Sequence, residues 1–150
     1  MILADFLLCL HQSKKRMKRI SAVIALVFAC FSGIRAQSND VFVPIAKYIA
    51  AADVESLSAW FAPSLEVSML NGMPNDCSKT QAKQILKAFF KSYEPESFII
   101  DHQAGRGTLK YALGRMKAGN DVFVVTIFVS YKDKTGYQIQ QLKVEKAGQP

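Results

Sequence analysis

The spacing of apolar residues in the first half of the chain predicts helices. Between residues 42 and 49 they recur at helical intervals behind Asp40, whose carboxylate can cap a first helix. Asp53 begins a second, shorter helix that ends at Pro63, and the apolar side of this helix is formed by Leu57, Trp60 and Phe61. We expect the apolar sides of both helices to face one core.

A short hairpin and a third helix follow. Apolar and polar residues alternate over 65–69, which predicts a half-buried strand, and the Asn71-Gly72 pair predicts a tight turn. Pro74 limits the returning strand to a short edge piece because proline cannot donate to a strand ladder. Ser78 and Gln81 form a capping-box pair that opens the third and longest helix.

The second half of the chain predicts an antiparallel sheet. Four candidate strands, each joined to the next by a short turn, span residues 97–104, 108–118, 121–133 and 137–146. In the last strand the apolar positions change from odd to even numbers, which predicts a β-bulge near Gln140-Gln141 and a bend in the sheet.

The third of these strands is apolar on both faces. Between residues 122 and 129 the only polar side chain is Thr126, which indicates that both faces of the strand are covered. The helices can cover only one face of the sheet. We therefore expect a second copy of the chain to cover the other face, so that the protein forms a homodimer through the open face of its sheet.

The basic charge lies mainly at the N-terminus. Of the 19 lysine and arginine residues behind the net charge of +7, six precede residue 37, so that residues 37–150 carry 13 basic and 11 acidic side chains. A nucleic-acid-binding domain usually keeps a concentrated basic surface on its folded part. We therefore expect no nucleic-acid partner.

Residues 17–36 have the layout of a secretory signal peptide. Lys18 and Arg19 form a basic start, an apolar run covers 20–34, and Ala36 offers a small residue for cleavage. The sequence predicts a leader over residues 1–36, with Met17 as the favoured true start, and an exported single domain over residues 37–150.

The exported chain is expected in the periplasm or the cell envelope. The 15-residue apolar run is short for a membrane span, which needs about 20 residues, so we expect no transmembrane span in the mature chain. A lipid anchor at Cys30 is the alternative to simple cleavage. Cys77 is the one remaining cysteine after residue 36, so the sequence predicts neither an intrachain disulfide nor a metal site, and no cofactor.

The stretch AADVESLSAWFAPSLEV over residues 51–67 carries a family resemblance. It resembles the signature of the nuclear-transport-factor-2-like superfamily, whose positions are matched here by Asp53, Leu57, Phe61, Ala62 and Val67. The resemblance covers residues 39–146. It implies an α+β fold in which three N-terminal helices pack on a curved, four-to-six-stranded antiparallel sheet and enclose an apolar cup. More narrowly, the chain resembles an uncharacterised family of secreted bacterial proteins, DUF4783.

Enzymes of this superfamily place an aspartate, often with a tyrosine, histidine or arginine, inside the cup. Here the only candidate for acid–base chemistry is His102, which shares its strand phase with Phe98 and Ile100 and is expected to point inward while Asp101 points outward. The residues expected to contact a ligand are Tyr48, Trp60, Phe61, Tyr111 and Arg115.

Four lysines repeat every fourth residue along the third helix, namely Lys79, Lys83, Lys87 and Lys91. Such a row usually forms a solvated face, and its alternative role is contact with an anionic surface. The sequence therefore favours a secreted, non-catalytic module that binds a small apolar ligand or a protein. The alternatives are a small lyase or isomerase acting in the cup, and an envelope accessory protein that contacts an anionic surface.

Overall fold

A computed structural model of the chain describes residues 40–70 and 72–148. Within these residues the helices are α1 (Phe42–Ala50), α2 (Val54–Ser58) and α3 (Lys79–Ser92). The six strands are β1 (Phe61–Met69), β2 (Asn75–Ser78), β3 (Ser97–Arg106), β4 (Leu109–Ala118), β5 (Asp121–Lys132) and β6 (Gly136–Lys146). The predicted leader over residues 1–36, including Met17 and Cys30, lies outside the described residues, as does Asn71.

All six strands belong to one sheet, in the order β2-β1-β6-β5-β4-β3. The chain forms the short β1–β2 pair at one edge, and α3 then carries it to β3 at the opposite edge, from which consecutive hairpins lead back. The last strand, β6, therefore meets β1, and these two strands run parallel whereas the other neighbours are antiparallel. The predicted α+β architecture is confirmed, with a sheet that is mostly rather than entirely antiparallel.

The helices pack on one face of the sheet because their apolar sides meet the inward-facing strand residues. Helix α1 buries Phe42, Ile45 and Ile49, and α3 buries Ala82, Leu86, Phe89 and Phe90. The Phe89 ring meets the Phe123 ring of β5 edge to face, with centroids 5.3 Å apart. The predicted capping box at the start of α3 is present, with Ser78 and Gln81 each bonding the backbone N–H of the other at 3.2 and 2.9 Å.

The second helix is shorter than the sequence predicts. It ends at Ser58, and Phe61 begins strand β1 instead of ending a helix at Pro63. Pro63 is tolerated inside the strand because the pairing of β1 with β6 is irregular between Phe61 and Glu66, where no ladder partner needs its missing N–H.

Two bulges interrupt the long hairpins. In β6 the register against β5 shifts opposite Phe128 and Val129, which leaves Gln140 as the additional residue and confirms the predicted bulge. In β3 a second bulge, which the pattern of apolar residues does not predict, leaves Asp101 without a partner, because Ile100 lies opposite Gly114 and His102 lies opposite Leu113. This second bulge decides which face of the sheet carries His102.

Candidate functional site

The interior between the helices and the sheet is filled by side chains. The cavity there measures about 10 Å³, and its walls are formed only by apolar residues of α1, α2, α3 and strands β4–β6. A single water molecule needs about that much space, and pockets for small organic ligands span roughly 300–1,000 Å³. The buried side chains of the described residues include no acid and no imidazole, and their polar members are Ser58 and Ser68.

The three predicted cup residues of the helical half belong to the wall of this core. Phe61 is 1% exposed and is part of the packed interior. Tyr48 and Trp60 are half-buried and pack against the core from outside. The structure thus places these aromatic residues around a filled interior, where their rings support the fold.

His102 does not share a face with Phe98 and Ile100, so the expectation that it points inward is wrong. The additional residue at Asp101 reverses the alternation of β3, and His102 lies opposite Leu113 on the face of the sheet that points away from the helices. There its Nε2 is 3.3 Å from the Tyr111 hydroxyl. The sequence does not indicate this change of alternation because β3 has no buried residue after Ile100 from which the phase of the strand could be read.

The same bulge brings Asp101 to Arg115, which lies opposite Ile99 on the neighbouring strand. The guanidinium donates Nε and one terminal nitrogen to the two carboxylate oxygens at 2.6 and 2.7 Å. These hydrogen bonds lower the pKa of Asp101 and raise the pKa of Arg115. The arginine side chain is 62% exposed, so this pair is a surface contact rather than the charged floor of a cup.

Tyr111 and Arg115 therefore lie on what we call the open face, the side of strands β3–β6 that points away from the helices. Its centre consists of Tyr111, Leu113, Val124 and Phe128 around one polar residue, Thr126, and all five are half-buried. The Tyr111 and Phe128 rings are directly opposite each other, with centroids 5.6 Å apart. Ion pairs surround this centre, among them Asp101 with Arg115 and Lys143 with Glu145.

The predicted lysine row on α3 is partly neutralised. Lys83 and Lys87 both form ion pairs with Glu55 of α2, the second of them at 2.7 Å. Hydrogen bonds from Lys83 and then Lys87 lower the pKa of this glutamate. Two of the four lysines thus hold α2 against α3, and Lys79 and Lys91 remain as the outer members of the row.

Other chemistry is sparse in the described part of the chain. Cys77 is a buried free thiol on β2. No group of three or more histidine, cysteine, aspartate or glutamate side chains among residues 40–70 and 72–148 is arranged to hold a metal ion. Within the same residues, none of the helices combines the length and the apolar character needed to cross a membrane.

Solved structures define the class of fold. A DUF4783 family protein from Bacteroides ovatus superposes with a TM-score of 0.66 at 20% identity, covering 71% of this chain and 96% of that one. An NTF-2 like protein of unknown function from Burkholderia xenovorans has a TM-score of 0.58 at 10% identity, covering 79% and 89%. A ketosteroid isomerase-like protein from Erwinia carotovora atroseptica has the same TM-score at 7% identity, covering 71% and 91%. The fold is therefore nuclear-transport-factor-2-like, as the resemblance implies.

The family is defined by sequence. Residues 42–145 match the domain of unknown function DUF4783, and the chain belongs to the DUF4783 family. None of the curated proteins matches the chain. Neither membership of this family nor the fold specifies a function.

Proposed function

We propose that this protein is an exported, non-catalytic interaction module that forms a homodimer through the open face of its sheet. The observation that carries the proposal is the contrast between a filled interior and a partly exposed apolar sheet face. The interior cavity of about 10 Å³ leaves no room for a substrate or an apolar ligand between the helices and the sheet, and the larger hollows, of about 490 and 560 Å³, are open to solvent. Across the sheet, Val124 and Phe128 alternate with fully buried neighbours and remain half-exposed to solvent.

The size of the open face supports a stable dimer. Strands of about ten residues, at ~3.3 Å per residue, and four strands at a spacing of ~4.8 Å give a projected area of roughly 600 Å². Stable interfaces cover about 800 Å² of accessible surface per partner. The face of β3–β6 is thus of the right order before any contribution from the turns or from β1.

The charges on this face support a second copy as the partner. A two-fold interface brings a surface against itself, so an excess of one sign would be repelled. Around the centre of this face, charged side chains form pairs of opposite sign within each copy: Asp101 with Arg115, Glu96 with Lys117, and Lys143 with Glu145. Two such faces can approach without net repulsion.

A catalytic alternative requires an acid or base facing a substrate cavity. His102 is the candidate from the sequence. It is exposed beside Tyr111 and borders a shallow surface hollow of about 490 Å³ between α1 and β3. We expect His102→Ala to leave the fold and the dimer almost unchanged. Loss of a turnover activity in this variant, measured against any substrate that the wild type converts, would sink the non-catalytic proposal.

The dimer is tested by sedimentation equilibrium of wild-type protein and of Val124→Lys. In the dimer, a lysine at the centre of the open face would be buried without a partner, which costs roughly 3 kcal/mol of binding free energy. We therefore expect the dissociation constant of the dimer to rise at least 100-fold. The matched control is Val43→Lys, the same substitution at a position of α1 that is 64% exposed and away from the face. We expect the control to dimerise like wild type.

Two results would contradict the proposal. One is a wild-type protein that stays monomeric at about 100 μM, which would put the dissociation constant of the dimer above that concentration. The other is a folded Val124→Lys variant that dimerises as well as the control, since the dimer would then use another surface.

A further inference from the structure

Basic residues without acidic partners collect at one end of the sheet. Of the 13 lysine and arginine side chains between residues 40 and 148, six form ion pairs: Lys83, Lys87, Arg115, Lys117, Lys143 and Lys146. Four of the other seven lie in two neighbouring turns, namely Arg106, Lys110, Lys132 and Lys134. None of these four has a described carboxylate within 4.0 Å.

The two turns form a single surface, which we call the hairpin end and define as residues 106–110 and 131–137. The backbone N–H of Tyr131 donates to the Thr108 carbonyl at 2.8 Å, which joins the β3–β4 turn to the end of β5. The Lys110 ammonium lies 4.8 Å from the centre of the Tyr137 ring, and this ring meets that of Tyr131 at 5.2 Å. Lys110 therefore connects the first turn to an aromatic pair of the second turn.

The hairpin end also exposes apolar surface. Leu109, at the beginning of β4 and opposite Ser130, is 50% exposed, and Tyr131 is 42% exposed. Asp133 is the one acid in the two turns, so four positive charges face one negative charge. Residues 37–150 together carry 13 positive and 11 negative charges, so the hairpin end holds an excess larger than that of the whole domain.

From this combination we infer that the hairpin end binds an anionic phospholipid surface, in contact with the headgroups. Lysine and arginine near such a surface are attracted by the negative headgroup potential, and tyrosine and leucine are favoured where headgroups meet acyl chains. A binding site for nucleic acid or another soluble polyanion would use the same cations but would gain nothing from the exposed Leu109. The exposed leucine is therefore the feature that favours lipid.

The test measures binding of the protein, purified after export from its own cells, to vesicles of phosphatidylglycerol and phosphatidylcholine in equal parts. We expect binding that is lost in vesicles of phosphatidylcholine alone and at about 0.5 M salt. Each cation near the surface contributes roughly a factor of five in the partition coefficient. Lys132→Gln with Lys134→Gln should therefore lower the partition coefficient by roughly 25-fold.

The matched control is Lys79→Gln with Lys91→Gln, which removes the same charge from the outer members of the α3 row. We expect the control to bind within about twofold of wild type, because only the hairpin end meets the membrane. A third variant, Leu109→Ser, should lower binding to vesicles by about tenfold and leave binding to heparin unchanged.

Four outcomes would overturn the inference. They are a wild-type protein that ignores anionic vesicles, equal losses in the two double variants, a loss in the α3 variant alone, and hairpin-dependent binding to heparin without any to vesicles. The second outcome would indicate attraction by overall charge, the third would assign the contact to the helix, and the fourth would assign the surface to a polymer.

Discussion

The attachment of the edge strand β3 depends on the absence of a side chain at Gly114, which can be tested by adding one methyl group. Gly114 lies in β4 opposite Ile100, and the Phe98 ring of β3 covers it. A Cβ at this position would stand 2.7 Å from Cε2 of Phe98, closer still to its Cζ, and 2.9 Å from the Ile99 carbonyl oxygen. Ordinary carbon–carbon contacts need about 3.5–4.0 Å, so the ring must move by roughly 1 Å.

The cost of Gly114→Ala follows from these contacts. Phe98 is 9% exposed and belongs to the core, so moving its ring outward returns apolar surface to water. The Ile99 carbonyl cannot move away from the added methyl group because it is held in the strand ladder. Overpacking of this kind costs about 1–3 kcal/mol, and a buried phenylalanine gains about the same from its burial. We expect Gly114→Ala to lower the free energy of unfolding by about 2–3 kcal/mol in a urea titration with unchanged slope.

Two comparisons make this prediction specific. Gly119→Ala meets no atom within 4 Å and adds a side chain only at a φ of +59°, so it should cost about 1 kcal/mol from backbone strain. Phe98→Leu removes the ring atoms that collide with the added methyl group. The double variant Gly114→Ala with Phe98→Leu should therefore lose less free energy of unfolding than the two single variants lose together, by at least about 1 kcal/mol. The reasoning is refuted if Gly114→Ala costs no more than Gly119→Ala, or if the two changes are additive.

Two further predictions concern side-chain contacts. Because the Arg115 guanidinium lowers the pKa of Asp101, the pair stabilises the fold above the ordinary pKa of an aspartate, and this contribution is lost as the pH falls through the lowered pKa. NMR titration should give Asp101 a lower pKa in wild type than in Arg115→Gln, and equal pKa values would contradict the contact. Ser78→Ala removes the oxygen that accepts from the Gln81 N–H and should lower the free energy of unfolding by about 1 kcal/mol; a change below about 0.3 kcal/mol would show that the cap is not formed in solution.

The sequence predicts those parts of the fold in which apolar residues report the phase of a strand or a helix. The bulge in β6 is visible because the apolar positions change from Ile139 to Leu142 and Val144, all three of which are buried. The bulge in β3 leaves no such record, since the strand lies at an edge of the sheet and every residue from Asp101 to Arg106 is exposed. Periodicity carries no information where neither face is buried.

The candidate site was harder to predict than the fold for a related reason. Whether a cup is open or filled depends on how the side chains of three helices and several strands meet, and the spacing within one element does not report this. Tyr111 and Arg115, two of the residues expected to contact a ligand, lie on one face of β4, and their spacing does not report that this face points away from the helices. The pairing of Glu55 with Lys83 and Lys87 likewise joins two helices separated by the β1–β2 hairpin.

The net charge of the domain is a poor guide to its surfaces because opposite charges cancel over short distances. Ion pairs across neighbouring strands, such as Asp101 with Arg115 and Asp121 with Lys146, remove most of the far field of their members. What remains is set by cations that have no acid beside them, and these concentrate in the two turns of the hairpin end. A domain with nearly balanced composition therefore presents an open face with paired charges around its centre and a positive hairpin end, so its net charge of +2 describes neither surface.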